Sequence, residues 1–290
     1  MRKIEKRSIF CLILAALLGL GLAFFCFQFV VDGGDWASYP YNRHLYNNAG
    51  QLKGGTILDR DGDMLSTLDE DGNRIYNDDA TVRRATLHAV GDKNGNIGAG
   101  ALTSFADKLS GYNLLTGVYS PLGTGNSLYL TIDAYLNNVA YQALNGMNGT
   151  VGVYNYKTGE ILCMLSTPTF DPANPPDIAA DDPAWDGVYV NRLLSANSIP
   201  GSIFKVVTIN AAIENIPDLF QRKWTCTGSV NIGGEEVTCP HAHGEQDIEE
   251  ALANSCNGVF GQLAVELGGE TMQKYADAAG LTKSIKVAVS

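Results

Sequence analysis

The sequence predicts an α+β protein held behind a single N-terminal transmembrane helix, and three features predict it. An apolar run from Ile9 to Val31 is long enough to cross a membrane. Residues 32 to 125 alternate short apolar stretches with Gly-, Asn- and Asp-rich turns. From Ser127 onward, strand-like and helix-like patterns follow one another over a length sufficient for a sizeable core. The expected organisation is a cytoplasmic tail and anchor over 1–31, a small pedestal over 32–125, and the chemistry-bearing domain over 126–290.

Within the first run Gln28 is the only clearly polar side chain, and about 20 apolar residues span the ~30 Å hydrocarbon core as a helix. Arg2, Lys3, Lys6 and Arg7 precede the run, and Asp32 and Asp35 follow it. That asymmetry predicts a cytoplasmic N-terminus, with everything after Val31 outside the cell membrane. The run exceeds the core of a signal peptide and no small-x-small cleavage signal follows, so an uncleaved single-pass anchor is expected. Phe24 and Phe25 before Cys26 are too bulky for a lipoprotein signal. A net charge of -11 with no basic stripe excludes nucleic acid as a partner.

In the pedestal, Gly55–Leu58 and Arg74–Tyr76 stand between turn signals such as Asp61-Gly62 and Asp71-Gly72, which reads as short strands and loops. Ser127–Ile132 is a strand candidate leading into Leu136, Val139, Ala140, Ala143 and Leu144 at helical spacing. Thr150–Tyr154 and Glu160–Leu165 read as a hairpin around Asn155-Tyr156-Lys157-Thr158-Gly159. Pro168, Pro172, Pro175, Pro176 and Pro183 then impose a long surface loop. Pro200-Gly201 precedes an apolar run, Ser202–Ile213, that predicts a helix beginning at the serine and buried through Ile203, Phe204, Val206 and Val207. Asp247 with Glu250 is a capping box opening a helix that ends near Asn254. After Asn257 one helix is expected to Gly268 and another over Thr271–Ala279.

Ser202-Ile203-Phe204-Lys205 puts a hydroxyl and an amine three residues apart at a helix start, hence on one face. A serine needs an adjacent base to become a nucleophile, and a desolvated lysine serves as one. The spacing alone is unspecific, but a lysine in an apolar helix is costly without a task. Ser255-Cys256-Asn257 is the second element, chosen over Ser195-Ala196-Asn197 and Ser229-Val230-Asn231 because it directly follows a capped helix; the other two triplets read as turns. Cys226 and Cys239 could pair as a disulfide, and with His241 and His243 they also suggest a metal site. The four crowd one loop and lack the two-plus-two spacing of a zinc finger, so a loop with turn chemistry and no metal is the preferred reading.

Pro200-Gly201-Ser202-Ile203-Phe204-Lys205 and Ala251-Leu252-Ala253-Asn254-Ser255-Cys256-Asn257 together resemble the first two active-site motifs of penicillin-binding proteins. The resemblance extends through Leu130-Thr131-Ile132-Asp133 and Lys157–Pro168, and Asp59-Arg60-Asp61-Gly62 is similar to the pedestal signature of the class B, monofunctional branch. Two positions depart from the pattern: Gly54-Gly55 stands where Arg-Gly is usual and Ile203 where Thr is common. The family's third motif, Lys-Thr-Gly on a strand after the Ser-x-Asn element, has no counterpart after Ser255. Lys157-Thr158-Gly159 has the letters but precedes the nucleophile, and is read as a hairpin turn.

The resemblance implies a peptidoglycan D,D-transpeptidase domain, an antiparallel sheet flanked by helices, cut before its third motif. It implies Ser202 as nucleophile, Lys205 as general base, Ser255 as proton relay and Asn257 as a substrate-binding residue, with no metal or organic cofactor. Stem peptides and β-lactams are the implied ligands, the membrane and a cell-wall synthesis or division complex the implied surroundings. A chain ending before the third motif is expected to be inactive, its strands over 150–165 left with an unpaired edge. The alternative reading is a penicillin-binding sensor or division scaffold without turnover. A β-lactamase is disfavoured, because a free hydrolase needs neither anchor nor pedestal.

Overall fold

The computed structural model describes residues 2–37, 54–111, 125–179, 181–197, 199–285 and 287. The chain divides into two compact units, Met1–Asn197 and Ser198–Ala288.

The first unit opens with helix α1 (Arg2–Ala37), in which Arg7–Gly33 is apolar and long enough to cross a membrane, with its side chains exposed. Three short strands follow, β1 (Thr56–Leu58), β2 (Met64–Leu68) and β3 (Arg74–Tyr76). They pair antiparallel in sequence order. Where the sequence reads only strands and loops, the chain next forms helix α2 (Ala80–Val90) and the short helices α3 (Ala101–Ser104) and α4 (Ala106–Ser110). The signal for α2 was Asp79, whose carboxylate caps the Thr81 N–H at 2.7 Å and starts a helix that buries Leu87 and Val90.

Strand β4 (Ser127–Tyr129) pairs parallel with β1, in the register Ile57 to Leu128. Helix α5 (Ala134–Leu144) follows, and then the hairpin of β5 (Gly149–Tyr154) and β6 (Ile161–Thr167). Among the described residues β5 and β6 pair only with one another. One core, with Ile57, Leu65, Val90, Leu109 and Ile132 at its centre, draws residues from both sides of position 125.

Two buried polar side chains tie these pieces together. Asp59 Oδ1 accepts the N–H groups of Asp61 and Asp63, both at 2.9 Å, which closes the β1–β2 turn. Its Oδ2 accepts Ala134 N–H at 3.1 Å and so anchors the start of α5. The Arg74 guanidinium donates to the Gly54 and Gly55 carbonyls at 2.7 Å each. Gly55 has φ 87° and its absent Cβ would lie 2.5 Å from the Leu109 side chain, so no other residue fits there.

The proline-rich segment after β6 runs to the short helix α6 (Arg192–Ser195) and is held to α2 by a bidentate ion pair. Arg83 Nε and Nη2 donate to the two Asp171 oxygens at 2.6 and 2.7 Å. Both side chains are largely buried. The arginine, helped by the Ala173 N–H, holds the Asp171 carboxyl at about 2. A depressed carboxyl stabilises the fold above its unfolded value near 3.8, and that contribution disappears as pH falls toward about 2.

In the second unit, a 3-10 turn, Gly201–Phe204, runs into helix α7 (Lys205–Asn215). Two narrow antiparallel ribbons follow. Strands β7 (Trp224–Cys226) and β10 (Gly244–Gln246) form one, β8 (Ser229–Ile232) and β9 (Glu235–Thr238) the other. Helix α8 (Ile248–Ala253) opens with the expected capping box of Asp247 and Glu250. Helix α9 (Asn257–Ala278) is broken at Gly268, with φ 76°, which matches the two helices read from the sequence. Its core packs Ala212, Leu219 and Ile248 against Val259, Phe260 and Leu263. The expectation that the run Ser202–Ile213 buries Ile203 and Val206 fails: these are 74% and 57% exposed, and Lys205, Val207, Thr208, Ala211 and Ala212 form the buried face of α7. The switch from 3-10 to α geometry after Phe204 sets which residues turn inward, a phase that composition does not reveal.

Replacing Asp171 with Asn leaves the Arg83 charge unpaired, so it should destabilise the chain at neutral pH by about 3 kcal/mol. It should also flatten the acid limb between pH ~4 and ~2. Thermal unfolding followed by near-ultraviolet circular dichroism checks both; an unchanged acid limb would remove Asp171 from this role.

Candidate active site

Gly201 turns the chain with φ 58°, after which Ser202 lies on the exposed surface of the 3-10 turn and Lys205 begins α7 one turn later. Lys205 is 9% exposed. Its Nζ lies 3.2 Å from Ser202 Oγ, 2.8 Å from Ser255 Oγ, 2.6 Å from the Ser255 carbonyl oxygen and 2.7 Å from Asn257 Oδ1. The Phe260 ring centroid closes the remaining side at 5.7 Å. Ser255 Oγ in turn lies 2.9 Å from Ser202 Oγ, which completes a triangle of two hydroxyls and one amine.

The partners of Lys205 decide its protonation chemistry. Among the described residues no ion pair includes it. Burial lowers its pKa from the ordinary 10.5, with the neighbouring Cys239 and Cys256 acting weakly the other way. Of its four oxygen neighbours, the Ser255 carbonyl and Asn257 Oδ1 only accept, whereas the two hydroxyls can donate. A neutral amine therefore gives its two N–H groups to the carbonyl and the amide and turns its lone pair toward the hydroxyls. That arrangement can draw a proton from Ser202 or Ser255.

Ser255 owes its position to the way α8 ends. Its N–H donates to the Leu252 carbonyl at 3.0 Å and the Cys256 N–H to the Ala251 carbonyl at 2.9 Å, the pair of bonds of a Schellman closure. That closure places residue 255 in the left-handed region, φ 51°, where glycine is the usual occupant. A serine there carries backbone strain of about 1 kcal/mol. Asn257 opens α9, and its Nδ2 donates to the Thr238 carbonyl at 2.8 Å. Its amide is thus engaged at both ends, first in holding Lys205 and second in tying α9 to β9.

The structure brings together all four residues singled out in the sequence, Ser202, Lys205, Ser255 and Asn257. Of the competing triplets, Ser229-Val230-Asn231 lies in strand β8 rather than in a turn, and Ser195 closes α6. Lys157-Thr158-Gly159 forms the β5–β6 turn, with Asn155 Oδ1 accepting the Lys157 N–H at 3.0 Å and Gly159 at φ 81°. All six cysteines are unpaired, including Cys226 and Cys239. His241 stays on the surface, and Cys226, Cys239 and His243 converge instead with Cys256, their donor atoms within 4.8 Å of one another. Sequence reasoning left Cys256 out because it stands inside the Ser-Cys-Asn triplet; the signal was a third cysteine 17 residues after the second.

Residues 149–290 match the family model of the penicillin binding protein transpeptidase domain. Stage V sporulation protein D of Bacillus subtilis is 35% identical over 169 residues, covering 54% of this chain and 25% of that protein. Peptidoglycan D,D-transpeptidase PbpA of Mycolicibacterium smegmatis is 29% identical over 178 residues, 54% of this chain and 36% of its own. The chain thus spans about a quarter to a third of these relatives. The D,D-transpeptidase domain of a peptidoglycan glycosyltransferase from Eggerthella lenta superposes with a TM-score of 0.64 at 29% identity, over 81% of this chain and 55% of that one. Pseudomonas aeruginosa PBP2 shares the fold, with a TM-score of 0.63 at 20% identity over 82% of this chain and 57% of its own.

If Ser255 is strained as its backbone indicates, Ser255→Gly should unfold at a higher temperature than Ser255→Ala, by about 1 kcal/mol of stability. Both variants lose the hydroxyl, so the comparison isolates the backbone; equal melting temperatures would contradict it.

Proposed function

From the match of residues 149–290 to the penicillin binding protein transpeptidase domain, we propose that this chain is the front part of a class B peptidoglycan D,D-transpeptidase. The observation that carries the proposal is the buried Lys205 amine, which reaches both serine hydroxyls with no carboxylate partner among the described residues.

In this reading Ser202 Oγ attacks the carbonyl between the two terminal D-alanines of a stem peptide as its proton passes to Lys205 Nζ. The tetrahedral intermediate collapses, the D-Ala amine leaves with a proton relayed through Ser255 Oγ, and the acyl group remains on Ser202. The amino group of a neighbouring stem peptide then attacks this ester and loses its proton along the same path, which restores Ser202 and forms the cross-link. A β-lactam opens its ring on Ser202 and keeps its leaving nitrogen attached, so the acyl-enzyme persists. Asn257 holds the amine in place and retains one N–H for a substrate amide oxygen. No step requires a metal or an organic cofactor.

The apolar helix Arg7–Gly33 supports a single-pass anchor in the cytoplasmic membrane. The basic residues before it and acidic residues after it support an orientation with the site outside. Residues 32–125 serve as the pedestal and 126–290 as the transpeptidase segment. Among the described residues no strand follows Asn257, so the 290 residues alone are proposed not to acylate at a measurable rate. In the family this reading rests on, the Lys-Thr-Gly strand supplies a backbone N–H to the oxyanion, and loss of one such donor costs about 100 to 1,000-fold by itself.

A fluorescent penicillin should label a chain extended through a downstream Lys-Thr-Gly strand and leave the 290-residue chain unlabelled. Ser202→Ala should abolish labelling, Lys205→Ala should slow it by ~100-fold or more, and Ser255→Ala should slow it less. Labelling that survives Ser202→Ala would refute the mechanism.

The base acts as the neutral amine, so the acylation rate should rise with pH as Lys205 loses its proton. Because burial lowers that pKa, the rise should level off below the ordinary lysine value of 10.5. An ascending limb confined to higher pH would contradict the assignment. In protoplasts, external protease should digest the part beyond Val31; protection of that part would overturn the orientation.

A further inference from the structure

We propose that Cys226, Cys239, His243 and Cys256 form a closed, four-coordinate zinc site directly behind the Ser255–Asn257 turn. Three thiols and an imidazole are a donor set characteristic of structural zinc. Here they come from four separate pieces of chain: the end of β7, the residue after β9, the residue before β10 and the N-cap of α9. Their donor atoms lie within 4.8 Å of one another.

The geometry distinguishes this cluster from a loop that happens to be rich in cysteine. Ligands about 2.3 Å from a tetrahedral zinc stand about 3.8 Å from each other, and the Cys239 and Cys256 sulfurs are 3.8 Å apart. Three mutually adjacent thiols cannot all be satisfied by one disulfide. His243 Nδ1 is buried without a hydrogen-bond partner, an unmet demand that a bound cation or a reoriented ring would meet. The pairing of β7 with β10, in the register Cys226 to Gly244, sets His243 beside Cys226. The Cys239 N–H bond to the Gly228 carbonyl at 2.8 Å continues the β8–β9 ladder by one pair, which sets Cys239 opposite the residue two positions after Cys226.

Such a staple would also reinforce the two ribbons, which rest on α9 through small contacts such as Val230 on Gly258 and Ile232 on Gly261. Both ribbons are two-stranded, with strands of three or four residues, and isolated two-stranded ribbons are marginal in water. With four protein ligands there is no open coordination position, so the metal holds structure and performs no chemistry. It does hold the two points that fix the site. Cys256 lies between Ser255 and Asn257, and Cys239 follows Thr238, whose carbonyl accepts the Asn257 amide. Zinc therefore acts as a positioning element for the oxygens around Lys205. This consequence rests on the function proposed above; zinc binding itself does not.

The full 290-residue chain, purified in detergent with reductant and without added metal, should contain about one zinc per chain by plasma mass spectrometry. Cobalt exchanged into it should show the thiolate charge-transfer and visible absorption of a tetrahedral site. Cys226→Ser and His243→Ala should each lower the zinc content at least tenfold, whereas His241→Ala should keep it. If the ligand variants fail to fold, alkylation of the wild-type chain mapped by mass spectrometry still decides. Cys226, Cys239 and Cys256 should resist until a chelator is added and then react together. Zinc-free protein with three freely reactive thiols, a Cys226–Cys239 disulfide, or loss of metal in His241→Ala in place of His243→Ala would overturn the proposal. Because metal content needs no catalysis, zinc in the 290-residue chain is read independently of activity; only a chain extended through a downstream Lys-Thr-Gly strand that binds zinc but never acylates would refute the transpeptidase reading, and it would leave the zinc site standing.

Discussion

The organisation of the second unit turns on one amine removed from water without a countercharge. A lysine buried beside a carboxylate would remain an ammonium ion, inert as a base. Lys205 instead faces neutral oxygens, which can solvate either protonation state but cannot repay the full cost of burying the charge. That imbalance is what makes the amine useful, and it explains why its surroundings must be rigid. If water entered, the charged form would regain its hydration and the amine would return toward its ordinary protonation behaviour. The α9 residue Phe260 packs against one side of the amine and the Asn257 amide against another.

Rigidity has a local cost, and the chain concentrates it at Ser255. A glycine at the end of α8 would relax the backbone, but it could offer neither a hydroxyl to Ser202 and Lys205 nor a side chain that resists local motion. The strain is held by bonds on both sides: the capping box that fixes the start of α8, the Schellman pair that fixes its end, and the Asn257 bond to Thr238. Strain of this kind persists only where the surroundings over-determine the conformation. The first unit follows the same economy, since the single Asp59 carboxylate closes one turn and anchors a helix 75 residues away.

The sequence made the helix starts, the hairpin and the four site residues legible because each depends on local rules. Asp247 and Glu250 cap their own helix, Asn155-to-Gly159 turns its own hairpin, and Ser202 and Lys205 meet because three residues make nearly one helical turn. What it concealed depends on phase or on distance. Ile203 and Val206 are apolar but face outward, because the 3-10 turn ahead of α7 shifts which residues point to the core. Helix α2 was hidden by its mixed composition, in which Arg83 and Arg84 interrupt the apolar stripe. The fourth member of the thiol cluster was hidden because Cys256 lies 13 residues beyond His243 and already belonged to a motif.

That double membership follows from how three consecutive residues leave a tight turn. Ser255 and Asn257 direct their oxygens to Lys205, while Cys256 between them is fully buried in the core of Val259, Phe260 and Leu263. A side chain at 256 therefore cannot reach the amine, yet any shift of it moves both neighbours. The residue type at this position is free of the chemistry but bound to the geometry, which is where a structural ligand is most effective. A small apolar residue there would fill the core equally well and leave the turn held only by hydrogen bonds. With the proposed metal bound, a cysteine would add a directed bond at the point where a displacement of about 1 Å would separate two hydroxyls from the Lys205 amine.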